Sequence, residues 1–93
     1  MIRTFKDPET EKIFNRLRSL KMDQAMQPVA YRKLRMLHHS KIISDLRVPP
    51  ANRLEKLKGD REGQYCIRIN NQYRICFEWK DGDAYQVEIV DYH

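Results

Sequence analysis

Three short stretches toward the C-terminal end alternate apolar and polar residues: "YCIRI" at 65–69, "YRICFEW" at 73–79 and "YQVEIV" at 85–90. A half-buried strand requires this, because successive side chains leave opposite faces of a sheet. The stretches therefore predict an antiparallel meander with one dry face and one polar face. Ile67, Ile69, Tyr73, Ile75, Phe77 and Trp79 fall on the dry side; Cys66, Arg68, Arg74, Cys76 and Glu78 fall on the other.

A dry face has to be covered, and the preceding residues supply the cover. In "KDPET", Asp7 is an N-cap, Pro8 suits the first helical position and Glu9 the first turn. Ile13, Phe14, Leu17 and Leu20 then recur at helical spacing, which predicts a helix from Pro8 to about Lys21. Pro28 opens a second helix that runs to about His39, with Val29, Ala30, Leu34, Met36 and Leu37 on its apolar side. Tyr31, Arg32, Lys33 and Arg35 make the rest of it basic, as on many solvated helix faces. Arg3 to Phe5 is a candidate opening strand. In "ISDLRVPPANRLEKLKGDREGQ", at 43–64, Pro49 and Pro50 argue for an ordered connection and against a central strand. Leu54 to Lys58 is a short segment before a Gly59-Asp60 turn. The fold class is α+β, a helical hairpin packed on a small antiparallel sheet, in a single domain spanning 1–93.

The register of the first hairpin follows from the same alternation. A two-residue turn at Asn70-Asn71 would set Ile67 beside Arg74 and mix the faces. A three-residue loop, Asn70 to Gln72, pairs Ile69 with Tyr73, Arg68 with Arg74 and Cys66 with Cys76, and keeps one face apolar. Two arginines set opposite one another repel. An anion between them converts that cost into a binding site, since guanidinium groups match phosphate geometry. For the next hairpin the same rule pairs Phe77 with Val87 and Ile75 with Ile89. Val90 and Tyr92 then share the face of Arg74. Asp91 and His93 point to the other face unless the chain bends at its end.

A net charge of +5 directs attention to polyanionic partners. No apolar run approaches a membrane span or a signal segment, so the cytoplasm is the default compartment and a membrane partner is not expected. Cys66 and Cys76 lack the spacing of a zinc site and are expected as free thiols. The polar face gathers Arg68, Arg74 and Tyr92, with Asp91, His93 and Lys58 as further candidates. This inventory offers no serine or cysteine nucleophile with a base, no metal cluster and no glycine-rich phosphate loop. It suits metal-free cleavage of RNA, in which the 2′-hydroxyl is the nucleophile and the protein supplies a base, an acid and cations. Tyr92 is alternatively a surface on which a base stacks. The rival reading is a non-catalytic basic module that binds RNA, the ribosome or an antitoxin. A direct operator-DNA binder ranks last, because nothing reads as a recognition helix.

The stretch "NRLEKLKGDREGQYCIRINNQYRICFEW" followed by "AYQVEIVDYH" resembles the HigB toxins of the RelE superfamily, the plasmid-maintenance killer proteins, nearest a GraT-like subgroup with "PPxNRLExL". The resemblance covers Pro49 to His93. It implies a RelE-like fold and a toxin that cleaves mRNA in the ribosomal A site without metal or cofactor. It implies a HigA-type helix-turn-helix antitoxin as partner, with operator DNA bound only through the antitoxin complex. By the same resemblance, Lys58 contacts the substrate backbone and Arg74 faces the scissile phosphate. Arg68 occupies a position that is often basic, and Arg61 of "LKGDREG" joins Lys58 and Arg68 in binding substrate. Asp91, Tyr92 and His93 match a terminal catalytic trio. Glu55 stands where some HigB toxins carry histidine, so the general base is Glu55, Asp91 or His93.

Overall fold

The fold is described by a computed structural model over residues 1–91. Helix α1 spans Pro8–Phe14 and starts as its sequence requires: the Thr10 amide donates to Asp7 Oδ1 at 2.7 Å, and Pro8 occupies the first turn. It ends a full two turns before Lys21. Arg16 takes a left-handed φ of 62°, its amide donates to the Ile13 carbonyl at 3.1 Å, and the Leu17 amide donates to that of Lys12 at 2.8 Å. These two bonds close a Schellman cap, which satisfies the last carbonyls and turns the chain away. Beyond it, the buried Gln27 side chain clasps Ser19, accepting from its amide at 3.1 Å and donating to its carbonyl at 2.9 Å. Leu17 and Leu20, expected on the buried face of a longer helix, are 59% and 82% exposed.

Helix α2, Gln27–His39, runs as its periodicity predicts and buries Ala30, Leu34 and Leu37. Strands β1 (Glu55–Lys56), β2 (Gln64–Arg68), β3 (Tyr73–Lys80) and β4 (Asp83–Asp91) form an antiparallel meander in chain order. The first hairpin has the expected three-residue loop: Cys66 pairs with Cys76, Ile67 with Ile75 and Arg68 with Arg74. Ile67, Ile75 and Phe77 are fully buried beneath α2, in one core with Ile13, Leu34, Leu37 and Val87. No helix among the described residues is long and apolar enough to cross a membrane.

In the second hairpin Ile75 pairs with Ile89 as expected, but Phe77 does not pair with Val87. A bulge intervenes, with Gln86 at φ 53°, so that Gln86 and Val87 together face Phe77. Its cause lies on the far edge of β4. There the Gln86 amide donates to Thr4 Oγ1 at 2.8 Å and the Val87 amide to the Thr4 carbonyl at 3.1 Å. The candidate opening strand is thus a parallel clamp, bridging Ile2 to Ala84 and Phe5 to Val87. Beyond it Thr10 takes over the edge: its hydroxyl donates to Asp7 Oδ2 at 2.9 Å and accepts from the Ile89 amide at 3.0 Å.

The connection around Pro49 and Pro50 is ordered, as three 3₁₀ turns at Ile43–Arg47, Pro50–Asn52 and Gly59–Arg61. Asn52 is its fully buried anchor, donating to the carbonyls of Leu46 and Val48 at 3.2 and 3.3 Å and accepting from Lys33.

Two outcomes follow. Thr10→Val removes the oxygen that satisfies the buried Ile89 amide, and should cost about 1–3 kcal/mol in denaturant unfolding, with Thr10→Ser retaining most of it. His38 Nδ1 accepts from the Ile2 amide at 3.1 Å, and burial, followed by the charge of Arg35, lowers its pKa. A histidine lowered on folding contributes stability that is complete above its unfolded value of about 6.5 and is lost as pH falls from there toward the folded value. The denaturation midpoint should therefore drop below about pH 6.5, and less steeply in His38→Gln.

Candidate functional site

The face of the sheet turned away from the helices carries the site. Across it one row holds Glu55, Cys66, Cys76 and Glu88, and the next holds Arg68, Arg74 and Val90. Leu57 and Val90 pack over the two cysteines, both fully buried. Arg74 lies along this layer with its side chain only 13% exposed. One guanidinium nitrogen donates to Cys66 Sγ at 3.1 Å and another to Glu55 Oε1 at 3.3 Å. Arg68, opposite Arg74, donates to Asn71 Oδ1. The loop between them is held by Asn70 Oδ1, which accepts the amides of Gln72 and Tyr73 at 2.8 Å each.

Of the residues singled out from sequence, the structure brings Arg74, Arg68 and Glu55 together. Arg61 sits on the opposite flank of the cysteine row, donating to Gln64 Oε1 at 3.1 Å and to Glu88 Oε2 at 3.2 Å. Lys58 precedes the turn Gly59–Arg61 and lines a separate hollow with Lys56, Leu57, Gly59 and Glu62. Asp91, at the end of β4, pairs with Tyr73 and accepts from Gln72 Nε2 at 3.1 Å. Tyr92 and His93 lie outside the described residues. Sequence reasoning passed over Arg53, which lines one cleft with Arg68, Asn70, Asn71, Gln72 and Arg74. The available signal was its place in "PPANRLEKL", inside the stretch that carries the resemblance but outside any alternating pattern.

The groups on this face are of a kind that suits an anion. Guanidinium groups and neutral amides converge, and the two carboxylates beside them, Glu55 and Asp91, are both hydrogen-bonded. Tyr73 is pushed above the ordinary phenol range by burial and then by Asp91. The Cys66 thiol is lowered to about 7, first by a hydrogen bond from Cys76 and then by Arg74, while that shared bond and burial push Cys76 upward. Among the described residues no group of three His, Cys, Asp or Glu side chains could hold a metal ion.

The chain is a four-stranded antiparallel sheet backed by two helices, and known proteins have this fold. Two chains from YoeB–YefM toxin–antitoxin structures of Staphylococcus aureus share it, at TM-scores of 0.57 and 0.59 with 18% and 21% identity, covering 100% of this chain and 98% of theirs. Residues 3–93 match the family model described as RelE-like toxin of type II toxin-antitoxin system HigB. The chain is also 40% identical over 81 residues to Toxin HigB-1 of Vibrio cholerae, spanning 86% of this chain and 85% of that protein. It is 46% identical over 41 residues to Endoribonuclease HigB of Proteus vulgaris, spanning 44% and 45% of the two chains. The protein therefore belongs to the HigB-like family of type II toxins, and the likeness reaches through the N-terminal helices, beyond the stretch Pro49–His93 that carried it in the sequence.

The cysteine pair offers a direct check on this geometry. In ultraviolet thiolate titration of the folded protein, one thiol should ionise below the ordinary range near 8.5, and Cys76→Ala or Arg74→Ala should shift it upward. Two thiols ionising together at the ordinary value would contradict the arrangement.

Proposed function

We propose that this toxin is a ribosome-dependent endoribonuclease that cleaves mRNA and so stops translation. The observation that carries the reading is Arg74, largely covered, with its guanidinium beside the carboxylate of Glu55. A cation held next to an acceptor is what 2′-hydroxyl-mediated cleavage needs. The base takes the 2′ proton and the 2′ oxygen bonds to phosphorus. The bond from phosphorus to the 5′ oxygen then breaks, and an acid protonates that oxygen, leaving a 2′,3′-cyclic phosphate and a 5′-hydroxyl. Arg74 offsets the charge that develops on the phosphorane oxygens. Glu55, Asp91 and His93 are the candidates for base. A phenol has an ordinary pKa of about 10, so Tyr92 is better suited to orient the leaving oxygen or stack a base than to take a proton. His93, with an ordinary value near 6.5, exchanges protons at cellular pH. Arg61, Arg68 and Lys58 bind the backbone.

A short RNA laid on an open sheet face is loosely oriented, so the ribosome positions the message; such positioning is worth on the order of 7–11 kcal/mol at best. The activity belongs to the cytoplasm, where ribosomes and message are. The partner that restrains it is an antitoxin of the HigA helix-turn-helix type, through which operator DNA is reached. The supporting likenesses are the name of the Proteus vulgaris relative, an endoribonuclease, and the toxin–antitoxin complexes among the fold neighbours.

The test is 5′-end mapping of mRNA on programmed ribosomes. Wild-type protein should cut translated message far faster than naked RNA, Arg74→Ala should lower kcat by about 10²–10³-fold, and deletion of His93 should reduce cutting while leaving the melting temperature intact. Tight ribosome or antitoxin binding without new 5′ ends would leave a non-catalytic module instead.

A further inference from the structure

Arg53 is the residue that neither the alternation nor the resemblance motif assigned. Its backbone is left-handed, at φ 46° and ψ 55°, a conformation that costs a non-glycine residue energy and is kept only where the surroundings impose it. Here the surroundings are the turn Pro50–Asn52. The Arg53 amide donates to the Pro50 carbonyl at 3.0 Å, and the preceding residue is the buried anchor Asn52. The turn delivers the Arg53 side chain to the cleft that Arg68 and Arg74 enter from the sheet.

Among the described residues the lining of this cleft is three arginines and three side-chain amides. Among the described residues no acid pairs with Arg53 or Arg68. The nearby carboxylates are committed elsewhere: Glu55 to Arg74, Asp91 to the Gln72 amide. A peptide carboxylate would not need three guanidinium groups. A phosphate diester suits fork-shaped cationic donors with amide donors around them. Arg74 belongs both to this cleft and to the contact with Glu55. A strand whose reacting phosphate lies at the Glu55 end therefore carries a neighbouring phosphate into the cleft. We propose that the cleft is a second phosphate subsite for single-stranded RNA and that Arg53 is its positioning residue. The identity of the ligand as RNA rests on the ribonuclease reading above; the site itself does not.

The experiment measures binding of a short single-stranded RNA, 2′-deoxy at the cleavage position so that it is not cut, across a range of salt. Arg53→Gly keeps the left-handed backbone and removes the side chain; Arg53→Lys keeps the charge. Arg53→Gly should weaken binding at low salt by about 5- to 10-fold and reduce the slope of log affinity against log salt by about 0.7, the value for one lost phosphate contact on a single strand. Arg53→Lys should restore the slope. A merely structural role for Arg53 would change the melting temperature without changing the slope, and an unchanged slope in Arg53→Gly overturns the proposal. Wild-type binding with no salt dependence overturns it as well. The two readings fail separately. A slope difference in a protein that makes no 5′ ends on ribosomes removes the ribonuclease and leaves the subsite, while equal slopes in a protein that cuts remove the subsite and leave the ribonuclease.

Discussion

Strand β3 pairs along both edges, so the two-residue alternation along it sets at once what the helices bury and what the open face presents. Ile75 and Phe77 point into the core while Arg74 and Cys76 point out of it. A slip of one residue would bury the guanidinium of Arg74 under α2, at a desolvation cost that no hydrogen-bond partner there would offset. The apolar core therefore enforces the register that places Arg74 opposite Arg68. The β4 bulge falls between Cys76 and Glu78, past the rows that carry the site, and does not disturb them. Holding the core together and holding the site together are one constraint acting on two faces.

Two arginines side by side would be a liability without something to offset their repulsion. The open face does this lightly. Asn71 accepts from Arg68, and Glu55 reaches Arg74 from the edge strand β1. Glu55 is half in water, with its side chain 52% exposed, so the ion pair is worth about 0–1 kcal/mol. That is enough to orient the guanidinium and too little to compete strongly with a phosphate. Cys66 on the inner side of the same guanidinium holds it against the sheet, which keeps a long, flexible side chain in a narrow range of positions. The electrostatics and the packing both leave Arg74 preorganised, a condition under which a fixed cation is most effective on charge that develops during a reaction.

The edges of the sheet are closed by different means. β4 is covered first by the parallel segment around Thr4 and then by the Thr10 hydroxyl, so its backbone amides are matched without a fifth strand. Glu88 lies at the meeting point, accepting from Lys6 of the N-terminal segment and from Arg61 of the connection, both at 3.2 Å. At the other edge β1 is only two residues long, and the chain before it is pinned by Asn52. The connection around Pro49 and Pro50, expected to be ordered, is thus a fixed support, and it is what carries Glu55 and Arg53 to the arginines of the sheet.

Much of this was determined by the sequence alone. Period-two alternation is a local property, and only one loop length at Asn70 to Gln72 keeps it consistent, so the pairing of Arg68 with Arg74 and of Cys66 with Cys76 follows from the residues themselves. The start of α1 at Asp7 and the run of α2 follow from caps and spacing in the same way. What the tertiary structure decided is where pattern and partner compete. Leu17 and Leu20 keep helical spacing, yet the chain leaves the helix at Asn15 because the clasp between Ser19 and Gln27 is formed by residues eight apart, outside any periodicity. Gln86 alternates correctly, yet bulges because Thr4 bonds it from the other end of the chain. Lys58 and Arg74, both in the resemblance motif, stand in different hollows, while Arg53, which falls in no alternating pattern, lines the same cleft as Arg74. Hydrophobic patterning encodes which face a residue takes within its own element. It does not encode where a connection closes, which is set by buried hydrogen bonds such as those of Asn52, and those exist only once the whole chain has come together.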